Sequence, residues 1–253
     1  MAHSHINLNS NFNKKLNMTT FHPIVLDCPH CSTLMNDYEL MSYTVHNSIS
    51  WSDGKCDNGV PDNNQIKICA VCHLPFWRDD AKLLEDPDWD TEGLGGPLDI
   101  HDLPWRFDDN WKEMQIKFYN DLIDDGFADE EDKEIYLRTK LWWSINDIIR
   151  NLSRWTSARN LRQLSEIKKH RSKSLKLFGK YKPLLEKNLD RLIFNYIKKG
   201  DIDLISLTEM YREKSNFTKA QEVLMKLEGK KGKLYSKMKR KIRQKSSEVF
   251  QLN

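Results

Sequence analysis

The chain has no apolar run approaching the roughly 18 residues that a membrane-spanning helix needs, and none is found anywhere in its 253 residues. Met1 to Thr20 is rich in Asn and lacks the apolar stretch of a secretory signal. Met18 is an alternative start, because the ordered pattern begins just after it. Hydrophobic residues are scarce at 39%, while charged residues reach 30%, so folded parts with highly charged surfaces and flexible ends are expected. There is no Gly-x-x-x-x-Gly-Lys phosphate loop and no Gly-x-Ser-x-Gly nucleophile elbow. The carboxylates between Asp124 and Glu134 do not follow the spaced calcium-loop pattern. Asp99-Ile100-His101-Asp102 carries ligand-type side chains at a spacing that fits no metal motif, and it reads as a solvated loop. These absences exclude the commonest catalytic signatures, and the chain reads as a non-enzyme.

Cysteine is also sparse. Four of the five cysteines fall in two Cys-x-x-Cys pairs, which suits a reducing cytosol better than a disulfide framework. The pairs are Cys28-Pro29-His30-Cys31 and, 37 residues later, Cys69-Ala70-Val71-Cys72. A two-residue gap places both sulfurs on one side of a tight turn, and two such turns complete a tetrahedral four-thiolate cage. Cys28, Cys31, Cys69 and Cys72 are therefore the expected ligands of one structural zinc ion. Four thiolates leave no open coordination position, which argues against catalytic zinc. Iron in a rubredoxin-like site shares this ligand set, and a redox-active pair is a further alternative. His30 and His73 flank the set and read as exposed; Cys56 reads as a spare thiol and the first substitute if the set is incomplete.

The net charge of +3 conceals a division. Residues 79–134 hold 20 Asp/Glu and 5 Lys/Arg, or −15, whereas residues 138–245 hold 10 and 30, or +20. Such asymmetry fits a charged partner, or attraction between the two halves within one molecule.

The pattern along the chain predicts an α+β protein. Residues 1–20 form a flexible N-terminus, and residues 21–77 a small β module holding both cysteine pairs. In it Tyr38–Val45 and His46–Trp51 read as strands, Ser52–Lys55 as a turn, and Ile66–Ile68 as alternation into the second pair. Residues 78–108 read as an acidic linker or loop, packed through Trp89 and Trp105. Residues 109–228 read as helical: Trp111, Met114, Phe118 and Leu122 share one face of a helix capped by Asp108 or Asp109 and ended by Gly126. Ile135 to Arg150 forms a second helix, Arg159 to His170 another, and a further one starts after Pro183 and ends at Gly200. Leu204–Leu227, with its turn at Ser215–Ala220, resembles a single tetratricopeptide-type helical hairpin. Residues 229–253 are a basic tail, in which Leu234, Met238 and Ile242 mark an amphipathic helix.

Cys28-Pro29-His30-Cys31, the Asn47–Lys55 segment NSISWSDGK, Ile68–Cys72, Phe76-Trp77 and the Leu141–Asp147 segment LWWSIND together resemble a group of uncharacterised bacterial zinc-ribbon proteins. The resemblance covers about two thirds of the chain and implies a zinc ribbon followed by a helical, tetratricopeptide-like end. It implies no activity. The glycine that often follows a zinc-knuckle cysteine is replaced here by Ser32 and His73. Trp51 is expected to shield the zinc and Asp53 to cap its turn, with Trp142, Trp143, Asn146 and Asp147 engaged in helix packing. Two functions follow: a cytoplasmic adaptor holding an unknown protein partner, or a nucleic-acid binder using the basic Lys226–Lys245 region.

Overall fold

The structure, a computed structural model, describes residues 20–42, 48–57, 64–84, 94–98, 110–150, 152, 160–200, 203–227 and 232–252. Seven strands come first: β1 (Thr20–Asp27), β2 (Leu34–Ser42), β3 (Ile49–Ser50), β4 (Cys56–Asp57), β5 (Ile66–Ile68), β6 (Pro75–Trp77) and β7 (Lys82–Leu84). Helices follow: α1 (Trp111–Asp124), α2 (Glu131–Asn146), α3 (Leu161–Lys199), α4 (Leu204–Glu213), α5 (Phe217–Met225) and α6 (Lys233–Arg243). The layout is α+β, as expected. No described helix is long and apolar enough to cross a membrane.

Two compact units share the chain. The first comprises Met1–His46 and Gly59–Asp99; the second comprises Asn47–Asn58 and Ile100–Asn253. The β3–β4 hairpin, grouped with the cysteine pairs on sequence, thus belongs to the helical unit.

In the first unit an antiparallel sheet runs β2-β1-β7, and β5 pairs with β6 in a separate hairpin. The sequence reading overlooked β1, whose Ile24, Val25 and Leu26 are all buried. Its Pro23 faces Tyr38 of β2 and lies beyond the reach of β7, which pairs only from Val25 onward. Proline there forfeits no ladder bond to β7. Part of the expected acidic linker is structure instead: β7 closes the sheet, Asn36 donates its backbone N–H to the Gly95 carbonyl, and Leu98 bridges Ile68. Trp89 and Trp105 lie outside the described residues. Lys67, between two buried isoleucines, is buried as well, and its ammonium meets Asp37 at 3.0 Å. Arg78 binds the other Asp37 oxygen at 3.1 Å, so the buried carboxylate is paired twice.

In the second unit Ile116, Tyr119 and Leu122 of α1 are buried, while Met114 is exposed. Of the expected Trp111–Met114–Phe118–Leu122 line Leu122 is buried, and the rest of the buried stripe is rotated onto Ile116 and Tyr119. Asp108 and Asp109 lie outside the described residues; Asn110 is the N-cap and Gly126, at φ +68°, ends the helix. Helix α2 stops at Asn146, and turns carry the chain on through Ile148 and Ile149, both buried, to Arg150. The two helices expected on either side of Pro183 are one continuous α3 of 39 residues with the proline inside. Leu185, Leu189 and Leu192 hold that segment in the core, and their burial overrides the roughly 3 kcal/mol helix penalty of proline. Gly200, at φ +75°, caps the C-terminus as expected. Asp203 and Asn216 cap α4 and α5, and Ala220, fully buried, joins Leu224, Tyr235, Met238, Ile242 and Phe250 in one cluster. The chain then returns to the hairpin: Ser52 donates its N–H to the Phe250 carbonyl, and Leu252 donates to Ser50.

Candidate metal centre

Each cysteine pair forms the tip of a β-hairpin. Asp27 pairs with Leu34 below the first tip, and Ile68 with Pro75 below the second. The two tips repeat the same backbone geometry. Cys28 donates its N–H to the Thr33 carbonyl and accepts from Ser32, while Cys69 donates to Leu74 and accepts from His73. Ser32 and His73 sit at φ +55° and +58°, in the left-handed region that glycine would enter without strain. The turn that normally uses glycine thus forms with serine and histidine.

The hairpins bring Cys28, Cys31, Cys69 and Cys72 together, with all four sulfurs within 4.8 Å of one another. Cys28 Sγ lies 3.9 Å from Cys72 Sγ, and Cys31 Sγ 3.6 Å from Cys69 Sγ. A tetrahedral ion with metal–sulfur bonds of about 2.3 Å requires sulfurs about 3.8 Å apart. A disulfide would require about 2.05 Å. The donor set therefore fits a single tetrahedral ion, and all four expected ligands are assembled.

Backbone N–H groups of Val71 and Cys72 point at Cys69 Sγ, at 3.4 and 3.5 Å. Such donors stabilise thiolate over thiol. The Thr33 hydroxyl, 3.1 Å from Cys31 Sγ, draws that thiol down to about 6. Burial instead pushes Cys28 up to about 12. A cation within the set reverses that cost, because a coordinated thiol is deprotonated outright. Met35 and Phe76, both buried, pack with Cys28 and Cys69 and cover the sulfurs. That cover was expected from Trp51, which belongs to the helical unit.

The flanking residues separate cleanly. His30 Nε2 donates to the Pro75 carbonyl at 3.0 Å, tying one hairpin tip to the other, and His73 is exposed. Cys56 lies in the helical unit beside Ser50 Oγ and takes no part in the sulfur set.

The other segments singled out on sequence meet in a second place, inside the helical unit. Asp53 is bound at both oxygens by Arg150, at 2.9 and 2.6 Å, and Asn146 Nδ2 donates to it at 2.9 Å. Asn146 also donates to both Glu213 oxygens at 3.1 Å, and Trp142 Nε1 donates to Glu213 at 2.7 Å. Trp143 Nε1 donates to the Asp53 carbonyl, and Trp51 lies beneath the Arg150 guanidinium. Arg212 pairs with Glu209 nearby on α4, both side chains shut off from solvent. Burial, followed by the Glu209 and Asp53 carboxylates, pushes Glu213 well above the usual carboxylate range. Sequence reasoning missed Glu209, Arg212 and Glu213: they lie largely off the Leu207–Met210 apolar face, where charge reads as solvated, yet α4 is buried on those sides as well.

Comparison of the chain with family models, with curated proteins and with solved structures gives no match. The arrangement is that of a four-cysteine hairpin pair with a separate helical unit, and its reading rests on its own geometry.

Proposed function

We propose that this chain is a non-catalytic adaptor whose first unit is organised by one structural zinc ion and whose helical unit holds a protein partner. The observation that carries the reading is the closed sulfur set. Four thiolates satisfy a tetrahedral ion completely, so no position remains for water or substrate. The tight α4–α5 hairpin at Ala220 supports the helical unit as a surface for a partner. A reducing cytoplasm suits five free cysteines.

Metal analysis of the purified chain tests the first half of the proposal: one zinc per chain is expected, and iron or no metal would reject it. Affinity purification from the native cell, with and without nuclease, tests the second. Protein partners that survive nuclease support the adaptor.

A second reading, nucleic-acid binding through Lys226–Lys245, is favoured by one observation. Helix α6 turns Tyr235, Met238 and Ile242 inward and leaves Lys233, Arg240 and Arg243 exposed, with no ion pair among the described residues. Charge reversal of Lys237, Lys239, Arg240 and Lys241 tests it: unchanged retention of nucleic acid excludes the tail.

A further inference from the structure

Among the described residues the acidic and basic halves of the chain neutralise each other where α1 and α2 meet α3. The acidic start of α2 is spent on the last turns of α3: Glu131 pairs with Lys198, Asp132 with Lys199 and Glu134 with Arg191. Glu113 of α1 takes Lys180. The first half of α3 receives little such compensation: Glu113 attracts Lys173 across the cleft without forming an ion pair with it. Between Arg162 and Lys182 eight Lys or Arg stand against one acidic residue, Glu166. Glu166 is used by Arg162 at 3.3 Å, whereas Lys168, Lys169, Arg171, Lys173 and Lys176 form no ion pair among the described residues. All five are exposed.

Their placement around the helix is ordered. At about 100° per residue, Lys169, Lys173 and Lys176 share one flank, and Lys168 and Arg171 share another about 140° away. Between the flanks, on the side opposite buried Ser174, the helix carries Ser165, Ser172 and Gly179 at intervals of seven. The outward surface is thus a low ridge of small residues with cations along both sides. Arg162 to Lys176 covers about 21 Å of helix axis. A cleft of about 420 Å³ opens beside this stretch, lined by Lys173, Lys176, Leu177 and Lys180 of α3 and by Asn110, Lys112 and Glu113 at the start of α1.

We infer that the first half of α3 docks into the major groove of a DNA duplex, with its two cationic flanks on the phosphates of the two strands. A B-form major groove, about 12 Å wide, admits one α-helix. Small side chains on the leading ridge let the backbone approach the groove floor, and cations 140° apart meet both walls. An acidic protein segment would call for one cationic face rather than two. The inference goes beyond the adaptor reading and does not rest on it.

The test is binding of a fluorescent 20-base-pair DNA duplex to the full chain across a salt series. Lys168→Glu, Lys169→Glu, Lys173→Glu and Lys176→Glu together should weaken binding at least about tenfold and make the log–log salt slope shallower by about 3 to 4. Lys→Gln at the same positions replaces this set should it lose helical circular dichroism. Ser172→Trp, which changes no charge but raises the ridge, should also weaken binding. A variant of equal charge change on α6 (Lys233, Lys239, Arg240 and Arg243 to Glu) should lose distinctly less. The inference is overturned if the unaltered chain does not bind the duplex at low salt, or if the α3 variants bind as well as it does. It also fails if both helices' variants lose equally, or if polyglutamate competes as well as DNA at equal charge.

Discussion

Asp53 and Arg150, 97 residues apart in the chain, form a two-point ion pair at 2.9 and 2.6 Å with both side chains closed off from water. The pair joins the turn of the β3–β4 hairpin to the segment that follows α2, and Asn146 extends it to Glu213. Removing one partner leaves an uncompensated buried charge. Asp53→Ala should therefore cost about 3–5 kcal/mol, with the midpoint of urea unfolding as the measure. Arg150→Met in the same background should recover a large part of that loss. A double variant as unstable as the sum of the two single ones would show that the pair is not coupled.

Metal removal should act on one unit alone. Exhaustive chelation is expected to open residues 20–42 and 64–98 to proteolysis while helical circular dichroism from α1 to α6 persists, because all four sulfurs lie in the first unit. Cobalt in place of the native ion should give the intense thiolate-to-metal bands of a tetrahedral site. Cys69→Ser should abolish them. An unchanged digestion pattern after chelation would refute the structural assignment.

The left-handed residues at the two hairpin tips give a sharper local test. Ser32→Gly and His73→Gly should each stabilise the first unit by about 1 kcal/mol, since glycine enters φ near +55° without the Cβ clash. Ser32→Val should destabilise by at least as much. Thermal melts of the metal-loaded chain are the readout, and equal melting temperatures for Gly and Val would remove the strain argument.

Acid should loosen the α2–α3 contact through Glu134. Hydrogen bonds from Arg191, reinforced by Arg138, hold its carboxyl down to about 2 against the desolvation that opposes them. A depressed folded pKa gives stability that is present above the unfolded value and is lost as pH falls through the folded one. The expected window is therefore from about pH 4.5 down to about 2. Glu134→Gln should flatten the stability curve in that window, by no more than about 1 kcal/mol because the site is partly open to solvent. A variant whose acid limb matches that of the unaltered chain would assign the effect elsewhere.

The sulfur set was legible because its information is local: two pairs with fixed spacing require only that two turns meet. The helices from Ile135 onward were legible through apolar periodicity, as was Gly200 as a stop. Three things were not. Strand β1 carries Pro23 and a continuous Ile24-Val25-Leu26 run instead of alternation, because that stretch is buried throughout. Pro183 reads as a boundary, yet burial of Leu185, Leu189 and Leu192 outweighs its local preference. The membership of Asn47–Asn58 in the helical unit depends on Asp53, Trp51 and Ser52 meeting residues nearly a hundred or more positions away, which no local pattern records. The same holds for Glu213, whose polarity conceals a core position.

The strand exchange between Ser52 and Phe250 spans 198 positions. At synthesis rates of about 5–20 residues per second, the hairpin waits about 10–40 s before its partner strand exists. During that interval the cysteine hairpins can close around an ion, whereas the turn bearing Trp51 and Asp53 gains Asn146 and Arg150 only 93 and 97 positions after Asp53, and Phe250 last of all. The order of assembly is thereby written into the chain. The cysteine unit can assemble first, while the β3–β4 segment acquires its last partner only with Phe250, and this segment is where a premature stop would be felt.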